Sequence, residues 1–466
     1  GQFQQLKPFI HIQFQLQQRV ELLRAAWALA IETLCWMELQ RLGERLALAR
    51  AAKQMGIKDA KVLGLSQKMV FETVRRQNLI DFLLNSTLAP RSLNDFKLGP
   101  RAFLRLYTYE TRMVNGDFKK AVRMARMGRS ILGWRELQGA EETLGKILSI
   151  QPFQALRGLS DEEKVALSTY NPTWFVKYCF RLLGREEALR FLENATEISP
   201  TYIRINTLKT SEEAALKRMK EEGVALEKTR QLKHTYKVVE TQKTLMGTRS
   251  FRDGLFFIQD KASCLATEVA APQAGMTVLD ICAAPGAKTT HLAQLMQNQG
   301  IIYSIDYSKR RMKVWKRETK RMGIKIAVPI LEDARKPPPI KLSADLVVLD
   351  PPCTSTGVFS KVPSAKWRLT KRSILGMARI QWEMLNQCAE HVRDRGFLVY
   401  STCSVALEEN EMLIERFLKW HPEFTLAEAS PRIGLPGLRG QTKCQRLYPH
   451  IHECNGFFVA KLQRQA

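Results

Sequence analysis

From Phe9 to about Leu148 apolar residues recur three and four apart, in Leu-, Ala-, Arg- and Met-rich runs such as Val20 to Leu48 and Asp117 to Met127. That period lines apolar side chains along one helical face, so this stretch predicts a bundle of helices, divided at Gly56, at Leu88-Ala89-Pro90 and at Gly116. A connection begins near Ile150-Gln151-Pro152. After more helix the period falls to two in Thr201-Tyr202-Ile203-Arg204-Ile205-Asn206 and again in Thr235-Tyr236-Lys237-Val238-Val239, with a helix from Glu212 to Glu222 between them. This is the pattern of a small α+β unit. Beyond Phe251 short unbroken apolar runs alternate with helical stretches: Thr277 to Ile281, Ile301 to Ile305, Ala327 to Leu331, Leu346 to Leu349 and Phe397 to Tyr400. Strands buried on both faces read this way, and helical crossovers between them predict an open α/β sheet, doubly wound, with its ligand at the carboxyl ends of the strands.

The three textures divide the 466 residues into 1–152, 153–250 and 251–466. With 45% hydrophobic residues and no low-complexity tract, order is expected nearly throughout. Charge adds a functional hint: 72 Lys+Arg against 46 Asp+Glu leave a formal net charge of +26, a field that attracts phosphate backbones. Residues 1–150 hold 24 basic and 13 acidic residues, so the excess is shared between both parts of the chain. Nine scattered cysteines, with no secretory signal and no C-x-x-C pair, point to a reducing cytoplasm and to no metal. The first helical stretch is broken by Arg19, Glu21 and Arg24, so no membrane span is expected.

Val278-Leu279-Asp280-Ile281-Cys282-Ala283-Ala284-Pro285-Gly286-Ala287-Lys288-Thr289-Thr290 is a strand that ends in a turn of small residues and opens a helix, which lets a ligand approach the backbone. A phosphate-binding P-loop fails on spacing, because Ile281 stands where its first glycine belongs and Ala287 separates Gly286 from Lys288. The next strand ends in Asp306, twenty residues past Gly286, where nucleotide folds place a carboxylate on ribose hydroxyls. The third ends in Glu332-Asp333. With no G-x-G-x-x-G for a pyrophosphate, an adenosine ligand without phosphates suits these residues best.

The fourth strand runs into Asp350-Pro351-Pro352-Cys353, and the fifth ends in Ser401-Thr402-Cys403-Ser404. Enzymes that methylate exocyclic amines carry an aromatic after Asp-Pro-Pro; a thiol stands here instead. A lone cysteine ending a buried strand is commonly an inert apolar residue, and Cys264, Cys282 and Cys388 are read that way. Two at strand ends along one sheet edge suggest nucleophilic chemistry. Carbon 5 of a pyrimidine is too poor a nucleophile to take a methyl group unaided; a thiolate added at carbon 6 makes it an enamine, and a carboxyl such as Asp350 can stabilise the charge near N3. Spacing does not choose between the two thiols.

These motifs, in this order, resemble the RNA cytosine-5 methyltransferase family, the Fmu/Sun/NOL group with its RsmB-like members, over roughly 155–466. The resemblance implies a Rossmann-like class I S-adenosyl-L-methionine-dependent methyltransferase domain, preceded by a small α+β RNA-binding unit and an all-helical NusB-like domain. It implies a cofactor motif at Cys282-Ala283-Ala284-Pro285-Gly286-Ala287-Lys288, a ribose acid at Asp306, an adenine-side acid at Asp333, the nucleophile at Cys403 and a product-release thiol at Cys353. Lys288 is a candidate for promoting the thiolate or contacting the base. Tyr202 to Lys209, Gln259-Asp260-Lys261-Ala262-Ser263 and Arg446-Leu447-Tyr448-Pro449-His450 support the likeness, as Leu98 to Leu106 does for the helical part. Asn455-Gly456-Phe457-Phe458 departs from the family's Asp-Gly-Phe-Phe and loses a carboxylate. The expected enzyme is a cytoplasmic monomer acting on a single-stranded or flipped cytosine in ribosomal or transfer RNA. Two rivals are a non-catalytic RNA-binding assembly factor and a DNA cytosine methyltransferase, which would use Cys353 as nucleophile.

Overall fold

The structure is a computed structural model that describes residues 6–466 except 115, 195, 196 and 340; side chains are described from residue 15 onward, that of residue 153 excepted. The chain gathers into two compact units, residues 1–196 with 362–368 and residues 197–361 with 369–466. The sequence suggested three parts, with limits near 152 and 250.

The first unit is helical among its described residues. Leu6–Gln40, Glu44–Met55, Ala60–Arg75, Gln77–Leu88, Leu98–Thr108 and Phe118–Leu132 are its longer helices, and Asp161–Thr169, Thr173–Leu183 and Arg185–Asn194 continue it past the expected limit. Trp27, Phe103 and Tyr107 are almost wholly buried at its centre. Two expected breaks have clear causes: Gly56 ends a helix in the left-handed region at φ 68°, and Asp117 caps the helix after Gly116 by accepting from Lys120 N. The run Val20 to Leu48 does not continue as one helix, because Arg41 turns to φ 52° and the chain reverses before Glu44. Apolar spacing carries on through that corner, so the period alone does not reveal it. Residues 362–368 join this unit from far along the chain, with Trp367 Nε1 donating to Val74 O at 2.6 Å.

The second unit holds two sheets. The smaller is antiparallel throughout and comprises β1 (Tyr202–Ile205), β2 (Val224–Lys228), β3 (Thr235–Thr241) and β4 (Phe256–Ile258), in the order β2-β3-β1-β4. The larger contains β5 (Thr277–Ile281), β6 (Ile301–Asp306), β7 (Ala327–Leu331), β8 (Ala344–Leu349), β9 (Val392–Thr402), β10 (Phe424–Ala427), β11 (Leu435–Pro436), β12 (Gln445–Leu447) and β13 (Phe457–Arg464). Its order is β11-β12-β13-β9-β8-β5-β6-β7, with β10 also paired to β13. From β7 to β9 the ladder is parallel, as the apolar runs predict; β13 and the strands beyond it add an antiparallel extension that those runs did not announce.

Alternate residues serve opposite faces of the large sheet. Val278, Ile302, Leu346, Val348 and Val399 enter one buried cluster, and Leu279, Ile281, Ile305, Val347 and Leu349 enter another, so both faces are covered. Connections leave β5 toward β6 on one side, while β8 returns on the other. This reversal opens a crevice beyond the carboxyl end of β5, where open α/β sheets hold their ligands.

Candidate active site

The pairing of Ile281 with Ile305 brings the turn after β5 level with the end of β6. There Cys282 takes φ 62° and Gly286 φ 113°, a conformation that favours glycine at the second position. Ala283 N donates to Ile305 O at 3.0 Å and Ala284 N to Asp306 Oδ2 at 3.1 Å, so the small-residue turn is sewn to β6. Asp306 is buried; its Oδ1 accepts from Ser308 N at 2.9 Å, and Arg311 pairs with its Oδ2 at 3.4 Å. Oδ1, with one donor, keeps a second lone-pair site for a ribose hydroxyl. Asp280, at the heart of β5, is pushed up to about 7 by burial; its Oδ2 accepts from Thr289 Oγ1 at 2.5 Å, while buried Oδ1 has no hydrogen-bond partner among the described residues. A buried, open acceptor beside a turn without side-chain bulk fits an adenosyl ligand carrying a cationic end.

Asp333 lines a small cavity with Ile281 and Ile305, the last residue of β5 and the penultimate of β6. Its carboxylate is held by Arg335, Nη2 to Oδ2 at 2.8 Å, and that hydrogen bond depresses its pKa. Cys282 is half-buried with its thiol pushed up, first by burial, and its sulfur faces Met384 Sδ at 3.9 Å. Cys264 and Cys388 are fully buried in the two cores. All three fit the packing role expected of them.

Cys353 and Cys403 lie fifty positions apart but end neighbouring strands, since β8 and β9 pair Leu349 with Tyr400. Cys353 Sγ and Cys403 Sγ are 3.3 Å apart, and Ser355 Oγ lies 3.7 Å from Cys403 Sγ. The hydrogen bond between them drives the two thiols apart: it lowers the pKa of Cys403 against the pull of burial, whereas Cys353 is raised well above the ordinary thiol value by the same bond and then by burial. Lys288 Nζ adds a lowering influence on Cys403. Buried on the first turn of the helix Ala287–Leu295, this lysine reaches Asp350 Oδ2 at 2.5 Å; burial disfavours its charge, but Asp350 more than offsets that and raises its pKa. A thiolate-prone sulfur, a second thiol and a carboxylate–ammonium pair therefore converge at one sheet edge.

What holds this edge was not legible beforehand. Glu409 is completely buried and accepts from Thr354 N at 2.9 Å, Thr354 Oγ1 at 2.6 Å, Ser404 Oγ and Gln381 Nε2 at 3.0 Å. Thr354 follows Cys353 and Ser404 follows Cys403, so a single carboxylate fixes both cysteine loops. The close approach of Gly357 and Gly456 completes the wall: a Cβ on Gly357 would fall 2.2 Å from Gly456 O, and Gly456 N donates to Gly357 O at 2.8 Å. Asn455 N donates to Asp260 Oδ2 at 3.2 Å through its backbone.

The three supporting segments acquire physical roles. Arg204 on β1 is fully buried, lowered to about 10 by burial, and donates to Gln259 Oε1, Gln294 Oε1 and Thr290 Oγ1, which ties the small sheet to the helix that carries Lys288. Gln259 Nε2 in turn donates to Ser263 Oγ at 3.0 Å, 3.4 Å from Lys288 Nζ. Arg446 is buried against Glu411, Nη2 to Oε2 at 2.7 Å, and its Nη1 donates to Val405 O, two residues past Cys403. The Asp-Pro-Pro-Cys loop and the Thr402-Cys403 strand end are thus locked from several sides.

A Rossmann-like sheet with an adenosyl-sized turn at the end of its first parallel strand, and a pair of thiols at the ends of the next two strands of the sheet, one of them lowered, defines a methyltransferase of the class I fold. The family model of 16S rRNA methyltransferase RsmB/F matches residues 267–463, and the ferredoxin-like domain model of RsmF/B-like methyltransferases matches residues 171–242. A "probable ribosomal RNA small subunit methyltransferase B" of Bacillus subtilis is 27% identical over 94% of this chain and 98% of its own. The tRNA (cytosine(72)-C(5))-methyltransferase of Pyrococcus horikoshii is 38% identical over 47% of this chain and 55% of its own. Among solved structures, that of PH0851 covers 95% of this chain and 99% of its own with a TM-score of 0.82 and 31% identity. The structure of NSun6 from Pyrococcus horikoshii with SFG, an S-adenosylmethionine analogue, covers 63% and 98%, with a TM-score of 0.59 and 28% identity. The chain belongs to the RsmB/F family of RNA methyltransferases.

Proposed function

We propose that this protein methylates carbon 5 of cytosine in RNA through a covalent bond between Cys403 and carbon 6 of the ring. The observation that carries this reading is the pair of thiols 3.3 Å apart, one lowered and one raised, beside the Lys288–Asp350 pair. S-adenosyl-L-methionine, the expected methyl donor, supplies an electrophilic methyl group when bound. Asp306, the turn from Cys282 to Ala287 and Asp280 are the residues assigned to hold it, with Asp333 assigned to the adenine side.

In the assigned sequence the Cys403 thiolate adds to carbon 6, and the electron pair displaced onto the ring is taken up at N3 by a proton delivered through the Asp350 carboxyl, which its partner Lys288 resupplies. Lys288 keeps Asp350 in place and favours the thiolate. Carbon 5, now enamine-like, takes the methyl group as that group's bond to the donor sulfur breaks; loss of the carbon 5 proton, with return of the N3 proton to Asp350, then restores the ring and expels the Cys403 thiolate. Cys353 is assigned to that release. Ribosomal RNA is favoured over transfer RNA as substrate, because the small-subunit methyltransferase relative matches almost the whole chain and the tRNA enzyme about half. Residues 1–152, as an NusB-like bundle, and 153–250 are assigned to binding that RNA, and 251–466 to catalysis, in a cytoplasmic monomer. Among the described residues no helix is long and apolar enough to cross a membrane.

The test is incubation with labelled S-adenosylmethionine and RNA stripped of native modification, followed by nucleoside mass spectrometry. 5-Methylcytosine above a Cys403→Ala control is the expected result, and mapping it names the RNA. Cofactor binding without methylated cytosine in any RNA or ribonucleoprotein fraction would instead support the non-catalytic assembly factor.

A further inference from the structure

The helix Lys309–Met322, which follows β6, packs eight basic residues and one acid into fourteen positions. Met312, Trp315 and Met322 make its buried face, with Met312 and Trp315 set against Ala283 and Ala284 of the cofactor turn. Two of the cations are committed inward. Arg311 pairs with Asp306 and donates to Ala284 O; Arg321 pairs with Glu318 at 2.7 Å and donates to Phe251 O and Phe256 O. Lys309, Arg310, Lys313, Lys316 and Lys320 are exposed and make no ion pair among the described residues. Lys309, Lys313, Lys316 and Lys320 follow one another at four, three and four positions, a single stripe about 16 Å long at 1.5 Å per residue.

An unpaired stripe of like charge repels itself, and nothing in the packing of this helix requires it. Its geometry selects among polyanions. A membrane-surface helix needs a free apolar face, and here that face is spent on the sheet. A protein interface needs aromatic or aliphatic anchors at its centre, and the exposed stripe offers only long cationic chains. The stripe begins three residues after Asp306, at the sheet edge that carries the site, and runs away from it. At its far end the Arg321 guanidinium lies 3.9 Å from the Phe251 ring, on the short helix Arg249–Arg252, where Arg249 and Arg252 are exposed. The lysines form a cationic track that leads out from the catalytic edge along this helix.

We propose that this track binds the phosphodiester backbone of the substrate RNA outside the target nucleotide. The inference rests on the RNA reading above and adds to it a second place of contact on the catalytic unit. Because lysines meet phosphates without reading bases, the track supplies affinity and register but no sequence choice. Each phosphate contact adds about 0.7 (single strand) to 0.9 (duplex) to the slope of log affinity against log salt.

The test is the full chain with Lys313→Gln, Lys316→Gln and Lys320→Gln together, exposed positions where glutamine keeps helix propensity. RNA affinity is measured by fluorescence anisotropy across a salt series, with a long unmodified ribosomal transcript and with a short oligonucleotide too small to reach the track. On the long transcript the salt slope should fall by roughly 2 to 3 and KM should rise about tenfold or more at low salt, with kcat and S-adenosylmethionine affinity unchanged. On the short oligonucleotide the variant and parent should coincide, which a loss of overall charge would not produce. An unchanged slope on the long transcript, an equal loss on the short one, or selective loss of binding to anionic lipid vesicles would overturn the proposal. A parent protein that binds RNA but methylates none would defeat the catalytic reading alone, since the slope comparison still decides the track.

Discussion

Replacing Glu409 by alanine removes the one carboxylate that joins the two cysteine loops. The side chain accepts four hydrogen bonds, and two of the donors, Thr354 N and Gln381 Nε2, have no freedom to turn elsewhere as the hydroxyls of Thr354 and Ser404 have. Each orphaned buried donor costs about 1–3 kcal/mol, so the expected destabilisation is roughly 2–6 kcal/mol, before any cavity is counted. The catalytic consequence is larger than that loss suggests. Cys353 and Cys403 each sit one residue from an anchored position, and a displacement of the order of 1 Å at reacting atoms costs about 10²-fold in rate. Glu409→Ala should therefore lower kcat about 100-fold while KM for RNA and the affinity for S-adenosylmethionine stay within a factor of about two, the mark of lost positioning rather than lost binding. Glu409→Gln should recover most of the rate, because glutamine keeps one accepting oxygen for the two N–H donors and the hydroxyls can turn to accept from its amide. Steady-state methylation at a temperature where urea titration shows the variant folded separates the rate effect from unfolding. A folded Glu409→Ala enzyme with parental kcat would refute the positioning argument.

Two further predictions concern ionisation. The rate of methyl transfer should rise with pH as Cys403 deprotonates, below the ordinary thiol range, and Lys288→Met should move that rise to higher pH because a neighbouring positive charge favouring the thiolate is gone; a pH profile of single-turnover rates measures both, and coincident profiles would contradict the assigned role. Asp280, with a folded pKa pushed up to about 7, binds its proton more tightly when folded than unfolded, so its contribution to stability is fully present below about pH 4 and is lost as pH rises through 7. Denaturant titrations from pH 4 to 8 should show this decline in the parent and a flatter course in Asp280→Asn; parallel curves would remove burial of an ionisable Asp280 from the account.

How far the fold was legible depended on whether the cue was local. β5 and β7 begin and end where the apolar runs do, at Thr277–Ile281 and Ala327–Leu331; β5 is buried within the sheet, with no polar positions to blur its limits, whereas β7 is the edge strand and leaves Val328 and Leu331 exposed, so its apolar run did not mean burial on both faces. The ends of those runs also pointed to the turn at Cys282 to Ala287 and to Asp306, which the β5–β6 register brings together. The antiparallel extension of the large sheet is less legible: Leu435–Pro436 and Gln445–Leu447 have too few positions for a period, and β13, though eight residues long, carries no cue to its antiparallel pairing with β9. Likewise the corner at Arg41 lies inside an unbroken apolar pattern, and the docking of residues 362–368 into the helical unit is a purely tertiary event.

The site divides in the same way. Cys353 and Cys403 were each visible as a thiol at a strand end, but their 3.3 Å separation follows from the β8–β9 pairing. Lys288 could be read from sequence as an exposed helix-capping residue or as part of the site; burial and the bond to Asp350 place it inside the cluster. Glu409 carries no sequence cue of its own, since it lies in Glu408-Glu409-Asn410-Glu411, a crowd of polar residues at the start of an apolar helix. Such a cluster ordinarily reads as a solvated helix start. Only the fold shows Glu409 and Glu411 turned inward, one to the cysteine loops and the other to Arg446.

The most direct test of the central claim is to incubate the Cys353→Ala variant with S-adenosylmethionine and the substrate RNA free of native modification, denature, digest, and locate the RNA-bound peptide by mass spectrometry. A stable adduct on the peptide containing Cys403, absent when Cys403 is also replaced by alanine, is the predicted result. An adduct formed instead by Cys353 in a Cys403→Ala variant, with methylation retained, would contradict the assignment and favour the mechanism in which the Pro-Cys thiol is the nucleophile.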